Sequence, residues 1–138
     1  MIGKKDAIMA PRVLVVEDNP VNLELVAALL ESEGCGVIPA ETGDVSLRLA
    51  ATEQPDLILM DIQLPGMSGH DATRRLKADP ATAGIPVVAL TANAMRGEEA
   101  RAREAGFDAF LTKPIDTQAF RETLRRFLGN VRGGQGAQ

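Results

Sequence analysis

The sequence predicts an α/β fold, a five-stranded parallel sheet with helices on both faces. Two observations carry that reading. Short apolar runs alternate with helix-periodic segments from residue 12 to residue 128, the rhythm of strand–helix–strand units joined by right-handed crossovers. The runs are also apolar almost without interruption, as strands buried on both faces require; a half-exposed strand would alternate. With 138 residues, 45% hydrophobic and 25% charged, the chain has the size and balance of one globular domain, at roughly 150 residues per domain.

Residues 1–11 carry no periodicity and read as a flexible leader. Arg12–Val16 is the first strand and stops at the carboxylate pair Glu17-Asp18. Asn19-Pro20 opens the first helix, with Asn as N-cap and Pro at the first helical position, where its missing N–H is no loss. Val21, Leu25 and Leu29, with Val26 and Leu30, repeat at helical spacing and are expected to face inward. Gly36–Ala40 is a weaker second strand. Thr42-Gly43 opens a second helix, with Val45, Leu49 and Ala50 inward, which ends before Pro55.

Asp56–Met60 is the third strand and the most apolar, and it too runs into a carboxylate, Asp61. The loop Gln63–Gly69 is rich in turn formers and precedes a helix that ends near Asp79-Pro80. Pro86–Thr91 is the fourth strand. A charged helix over about Met95–Ala105 follows, stopped by Gly106. Asp108–Leu111 is the fifth strand. After Lys113-Pro114, Asp116 or Thr117 caps a last helix whose apolar face is Phe120, Leu124, Phe127 and Leu128. The folded domain is expected to span 12–128, followed by a flexible Gly-rich tail over 129–138.

Composition removes several classes of function. A net charge of −4 argues against nucleic acid, whose phosphates call for a basic face. With no Trp, no Tyr and only four Phe, a base-stacking platform is equally unsupported. The single cysteine, Cys35, excludes an internal disulfide and a Cys-built metal cage, and reads as a structural thiol. The only histidine, His70, excludes a His-built metal site and is expected to have a structural role at the surface. No apolar run approaches the length of a membrane span and no signal peptide is visible, so the expected compartment is the cytoplasm.

Open parallel sheets bind ligands beyond the carboxyl ends of their strands, at the point where strand order reverses. Here those ends carry Glu17 and Asp18, then Asp61, Thr91 and Lys113. Two carboxylates ~5 Å apart repel by roughly 3 kcal/mol at an effective dielectric near 20, and three pairs by roughly 10 kcal/mol. One lysine cannot offset that. Either a pKa rises or a cation binds. Oxygen ligands without His or Cys select Mg²⁺ or a similar hard ion, which favours one or two carboxylates plus phosphate oxygens. Lys113 and Thr91 could hold two more phosphate oxygens. The set suits phosphoryl transfer to a carboxylate.

Four segments then resemble one family in their order along the chain: Val-Val-Glu17-Asp18-Asn19 with Asn22; Leu-Met-Asp61-Ile-Gln-Leu-Pro-Gly-Met-Ser-Gly69; Val-Val-Ala-Leu-Thr91-Ala-Asn-Ala-Met95; and Phe110-Leu-Thr-Lys113-Pro114-Ile. The sequence resembles the receiver domain of two-component response regulators, in particular the single-domain cell-division type, across about residues 12–128. The resemblance implies the flavodoxin-like (βα)5 receiver fold, with Asp61 as phosphoacceptor. It implies Mg²⁺ held by Asp18, Asp61 and the Gln63 backbone carbonyl, with Glu17 acting directly or through water. Lys113 would pair with Asp61 and then with the phosphoryl group, which Thr91 and the Ala92 backbone N–H would also bind. Thr91 and Phe110 would form the switch, Lys113-Pro114 would be a cis peptide, and Gln63 and Asn93 would tune dephosphorylation.

On the same resemblance the donor is a sensor histidine kinase or a histidine phosphotransfer protein. The downstream target would read the face of the fourth helix, fifth strand and fifth helix. Such a chain is a signalling protein that catalyses only its own phosphorylation and dephosphorylation. Start at Met1 and the Gly-rich tail favour a free-standing regulator over a receiver cut from a hybrid histidine kinase, although the motifs fit both. A haloacid-dehalogenase-type phosphatase would need Asp-x-Asp on its first strand; here the acids are adjacent, and Gln63 stands two after Asp61, where a general acid would be needed. A flavin carrier of the same strand order would need a Ser/Thr-rich phosphate loop. Arg121, Arg125 and Arg126 read either as a solvated face or as part of a docking surface.

Overall fold

Strand and helix alternate along the chain in the computed structural model, which describes residues 10–92 and 97–129. The elements are β1 (Arg12–Val16), α1 (Pro20–Ser32), β2 (Gly36–Ala40), α2 (Gly43–Glu53), β3 (Leu57–Asp61), α3 (Gly69–Ala78), β4 (Val87–Thr91), α4 (Glu98–Ala105), β5 (Ala109–Thr112) and α5 (Thr117–Leu128). The strands pair in parallel in the order β2-β1-β3-β4-β5. This is the flavodoxin-like arrangement the sequence predicts. Boundaries move by one to three residues. The tail beyond Gly129, residues 1–9 of the leader and Met95 at the expected start of the fourth helix lie outside the described residues.

Side chains along a strand alternate between the two faces of the sheet, and the core divides accordingly. Leu14, Val16, Ile58, Met60, Val87 and Ala89 pack beneath Ala50 of α2, Ala72 and Leu76 of α3, and Ala102 and Ala105 of α4. Val13, Val15, Leu57, Leu59, Val88 and Leu90 pack beneath Val26 and Leu30 of α1 and Phe120 and Leu124 of α5. Every residue of β3 and β4 is buried, which is why both read as uninterrupted apolar runs.

The caps follow local chemistry. Asn19 Oδ1 accepts from the N–H groups of Val21 and Asn22 at 2.9 and 3.1 Å, so α1 begins immediately after the Glu17-Asp18 pair. Thr42, Ser68 and Asp116 cap α2, α3 and α5 in the same way. Of the two cap candidates for the last helix, Asp116 takes the role.

One helix face corrects the sequence reading. Val21 and Leu25 were expected inward, but they are 70% and 54% exposed. The inward stripe of α1 is Leu23, Val26, Leu29 and Leu30. His70 also departs from a surface position: it is half-buried, edge-on to Phe107 with ring centroids 5.9 Å apart. Cys35 is buried, and its thiol is pushed up to about 11 by burial first and then by Glu33 and Asp56, which leaves it inert. Arg121 is ion-paired rather than merely solvated. Its Nε donates to Glu33 Oε2 at 2.7 Å and ties α5 to the end of α1.

Candidate functional site

The sheet's switch point falls between β1 and β3, from which the chain crosses over in opposite directions. Three backbone bonds continue the ladders past the strand ends and fix the residues there. Glu17 N–H donates to Ala40 O at 2.9 Å, Ile62 N–H to Leu90 O at 3.0 Å, and Lys113 N–H to Thr91 O at 2.7 Å. Glu17, Asp61, Thr91 and Lys113 are therefore carried on the rigid sheet edge rather than on loose loops. The Lys113–Pro114 peptide is cis.

One carboxylate oxygen from each of Glu17, Asp18 and Asp61 lies within 4.8 Å of the others. Glu17 and Asp61 are buried and Asp18 is exposed, so the cluster has a dry floor and an open mouth. Lys113 Nζ donates to Glu17 Oε1 at 2.9 Å and to Asp61 Oδ2 at 3.3 Å. The other Glu17 oxygen accepts from Asn19 N–H at 3.2 Å. Asp61 Oδ1 accepts from Gln63 N–H at 3.0 Å, which sets the rotation of that carboxylate.

Electrostatics match the geometry. Burial pushes the Asp61 carboxyl up from 3.8 to about 6; the Gln63 N–H opposes this, Glu17 adds to it and Lys113 counters. Burial lowers Lys113, but its hydrogen bond to Glu17 and the charge of Asp61 outweigh that and leave it raised. Among the described residues, Lys113 thus serves two buried acids with a third at the rim. The donor set, all oxygen and short of positive charge, fits a hard divalent ion.

Thr91 is buried at the end of β4, and Ala92 is exposed beside it. Phe110 pairs with Ala89 across β4 and β5 and packs, half-buried, on the core under α2–α4. Gln63 is exposed. Asn93 lies outside the described residues. The hydrogen bond from Lys113 to Glu17 was not read from the sequence, because it depends on the ladder bond that swings Glu17 inward. Nor was a mainly apolar cleft of about 350 Å³ lined by Leu25, Val26, Pro114 and Ile115, with Asn22, Ala92 and Lys113 also on its wall. The signal for it was present in Val21 and Leu25, which the helical period assigned to the wrong side.

Residues 13–125 match the family model described as the response regulator receiver domain. The chain belongs to the response regulator receiver family. This receiver is 45% identical over 123 residues to the polar-differentiation response regulator DivK of Brucella ovis, covering 89% of this chain and all of that one. Its fold matches the receiver domain of the sensor histidine kinase PA1611 from Pseudomonas aeruginosa, which has magnesium coordinated in its active-site cleft. There the TM-score is 0.82 and the identity 36%, over 88% of this chain and 99% of that one. The signal receiver domain of a histidine kinase from Syntrophus aciditrophicus matches with a TM-score of 0.80 and 32% identity, over 89% and 93% of the two chains. The receiver is DivK-like in sequence and (βα)5 in fold. Among the described residues, no helix is long and apolar enough to cross a membrane.

Proposed function

We propose that this receiver acts as a single-domain signalling switch in which Asp61 takes a phosphoryl group from a partner's phosphohistidine. The observation that carries this is the placement of Asp61: buried, rotationally fixed by Gln63 N–H, and sharing Lys113 with Glu17 beside Asp18. An Asp61 oxygen forms the new P–O bond as the P–N bond to the imidazole breaks, and the electron pair returns to the ring nitrogen. Asp18, Asp61, Glu17 and the Gln63 carbonyl would hold Mg²⁺, which supplies charge neutralisation for the in-line displacement.

Lys113 already donates to two carboxylates, so it needs only to turn from Glu17 to meet a phosphoryl oxygen. The Thr91 hydroxyl and the Ala92 N–H supply further donors. The new group adds about −1.5 to −2 charge and three acceptors. Thr91 moving toward it frees space for Phe110 to turn inward, and the phosphate biases an equilibrium between the two arrangements. The α4–β5–α5 face, next to Phe110, is the surface a target reads.

The donor's approach is marked by the apolar cleft beside Lys113, with Val21 and Leu25 on its exposed rim helix. A partner carrying the phosphohistidine would seat on that cleft, beside Lys113, with its imidazole turned toward Asp61. The match over the full length of DivK favours a regulator that works by binding partners; the likeness to receivers of histidine kinases keeps the hybrid-kinase setting as the second reading. The residues at the strand ends point away from phosphatase turnover, and the chain's only catalysis is of its own modification. Transfer from a phosphorylated histidine protein tests the reading: label should pass to this chain with Mg²⁺ and stop with a chelator. Equal transfer in chelator contradicts it. Target binding should follow beryllofluoride and Mg²⁺ treatment, and Phe110→Ala should abolish that dependence.

A further inference from the structure

Gly69, the first residue of α3, sits directly against the backbone of the phosphoacceptor. A Cβ there would stand 2.3 Å from the Asp61 carbonyl oxygen, 2.8 Å from Ile62 Cα and 3.1 Å from the Asp61 carbonyl carbon. All three are main-chain atoms, so no flexible side chain can swing aside. Carbon–oxygen contacts settle near 3.3–3.6 Å, so α3 and the Asp61–Ile62 peptide would have to part by about 1 Å. Gly69 is not among the glycines with positive φ. The closeness of the approach, not its backbone angles, demands glycine.

Ile62, which joins that peptide to the next, is held from both sides. Ile62 N–H donates to Leu90 O of β4, and Gly69 N–H donates to Ile62 O, each at 3.0 Å. The Asp61 carboxylate and its bond from Gln63 N–H hang from that grip. We propose that Gly69 is a positioning residue: its bare Cα lets α3 press on the Asp61–Ile62 peptide and so sets where the Asp61 carboxylate and the Gln63 carbonyl stand relative to Glu17 and Asp18. This rests on the reading of Asp61 as phosphoacceptor. Gly43 at the start of α2 touches the same loop more softly, since a Cβ there would meet Met67 Cβ and Sδ at 3.2 Å and Ala72 Cβ at 3.3 Å.

The test compares Gly69→Ala with Leu124→Ala, a core truncation in α5, and with Gly84→Ala, where an added Cβ meets nothing within 4 Å. Mg²⁺ affinity is read by calorimetry and beryllofluoride uptake by fluorine NMR, below the melting temperature of each variant. Gly69→Ala should weaken both by about tenfold or more, while the two comparison variants stay within about twofold. A folded Gly69→Ala with wild-type affinities overturns the proposal. Should that variant not fold, Gly43→Ala carries the test: weaker Mg²⁺ binding supports the proposal and unchanged binding overturns it. If the wild-type chain itself takes up neither probe, the phosphoacceptor reading fails separately. The positioning claim is then read from amide exchange at Gln63, faster in Gly69→Ala if it holds and unchanged if it does not.

Discussion

Lys113 lies nearer to Glu17 than to Asp61, 2.9 Å against 3.3 Å. The cation that would meet an incoming phosphoryl group is therefore held chiefly by a carboxylate that is not the acceptor. Glu17 is 1% exposed, and a buried charge of that kind persists only when paired.

Glu17→Gln should consequently act on Asp61. Both the charge of Glu17 and its hydrogen-bonding interaction with Asp61 raise the Asp61 carboxyl; removing the charge should bring its midpoint down from about 6. Carboxyl carbon NMR titration of the metal-free protein reads this directly. An unmoved midpoint would show that Glu17 has no part in setting the value. The same variant should bind Mg²⁺ about tenfold or more weakly.

Stability should carry a matching pH signature. Because the folded value of Asp61 is raised from 3.8 to about 6, the folded chain holds a proton there that the unfolded chain has released. That contribution is present below the unfolded value and is lost as pH rises through about 6. Metal-free Asp61→Asn should thus be more stable than wild type above pH 6, by about 1–3 kcal/mol, with the gap closing toward pH 4. Thermal melts of the two proteins across this range give the difference curve. Mg²⁺ should stabilise wild type above that midpoint and lose its effect below it, where the proton competes for Asp61.

Much of the fold was legible because its parallel strands are short, continuous and apolar, and because Asn19, Thr42 and Asp116 announce helix starts by their own hydrogen bonds. The site residues were legible for a related reason: the chemistry of an open parallel sheet lies at the carboxyl ends of its strands. The face of α1 was not. Its run from Leu23 to Leu30 is apolar at nearly every position, so Val21–Leu25–Leu29 and Leu23–Val26–Leu30 both satisfy the helical period, and only packing on β1 chooses between them. The grip of Gly69 on Asp61 depends on the path of the loop between them, which periodicity does not describe.

The exposed pair on α1 yields a kinetic expectation. Leu25→Asp should slow phosphoryl transfer from a phosphohistidine protein by about tenfold or more, as loss of an interface anchor does. Autophosphorylation from acetyl phosphate, which needs no docking surface, should be unaffected. Equal slowing with both donors would place Leu25 in the fold of the site rather than in recognition.

The side chains of α5 should divide by burial. Arg121 bridges to Glu33 at the surface, so Arg121→Ala should cost at most about 1 kcal/mol. Leu124, buried beside Phe120, should cost about 2–5 kcal/mol when cut to Ala. Denaturant unfolding of both variants gives the comparison.

The most direct measurement is the location of the phosphoryl group. The chain is incubated with acetyl phosphate and Mg²⁺, reduced with borohydride to trap the acyl phosphate, digested and mapped by mass spectrometry. The modification should fall on Asp61 alone and vanish in Asp61→Asn. Modification at Glu17 or Asp18, or undiminished uptake by Asp61→Asn, would contradict the assignment of Asp61 as phosphoacceptor.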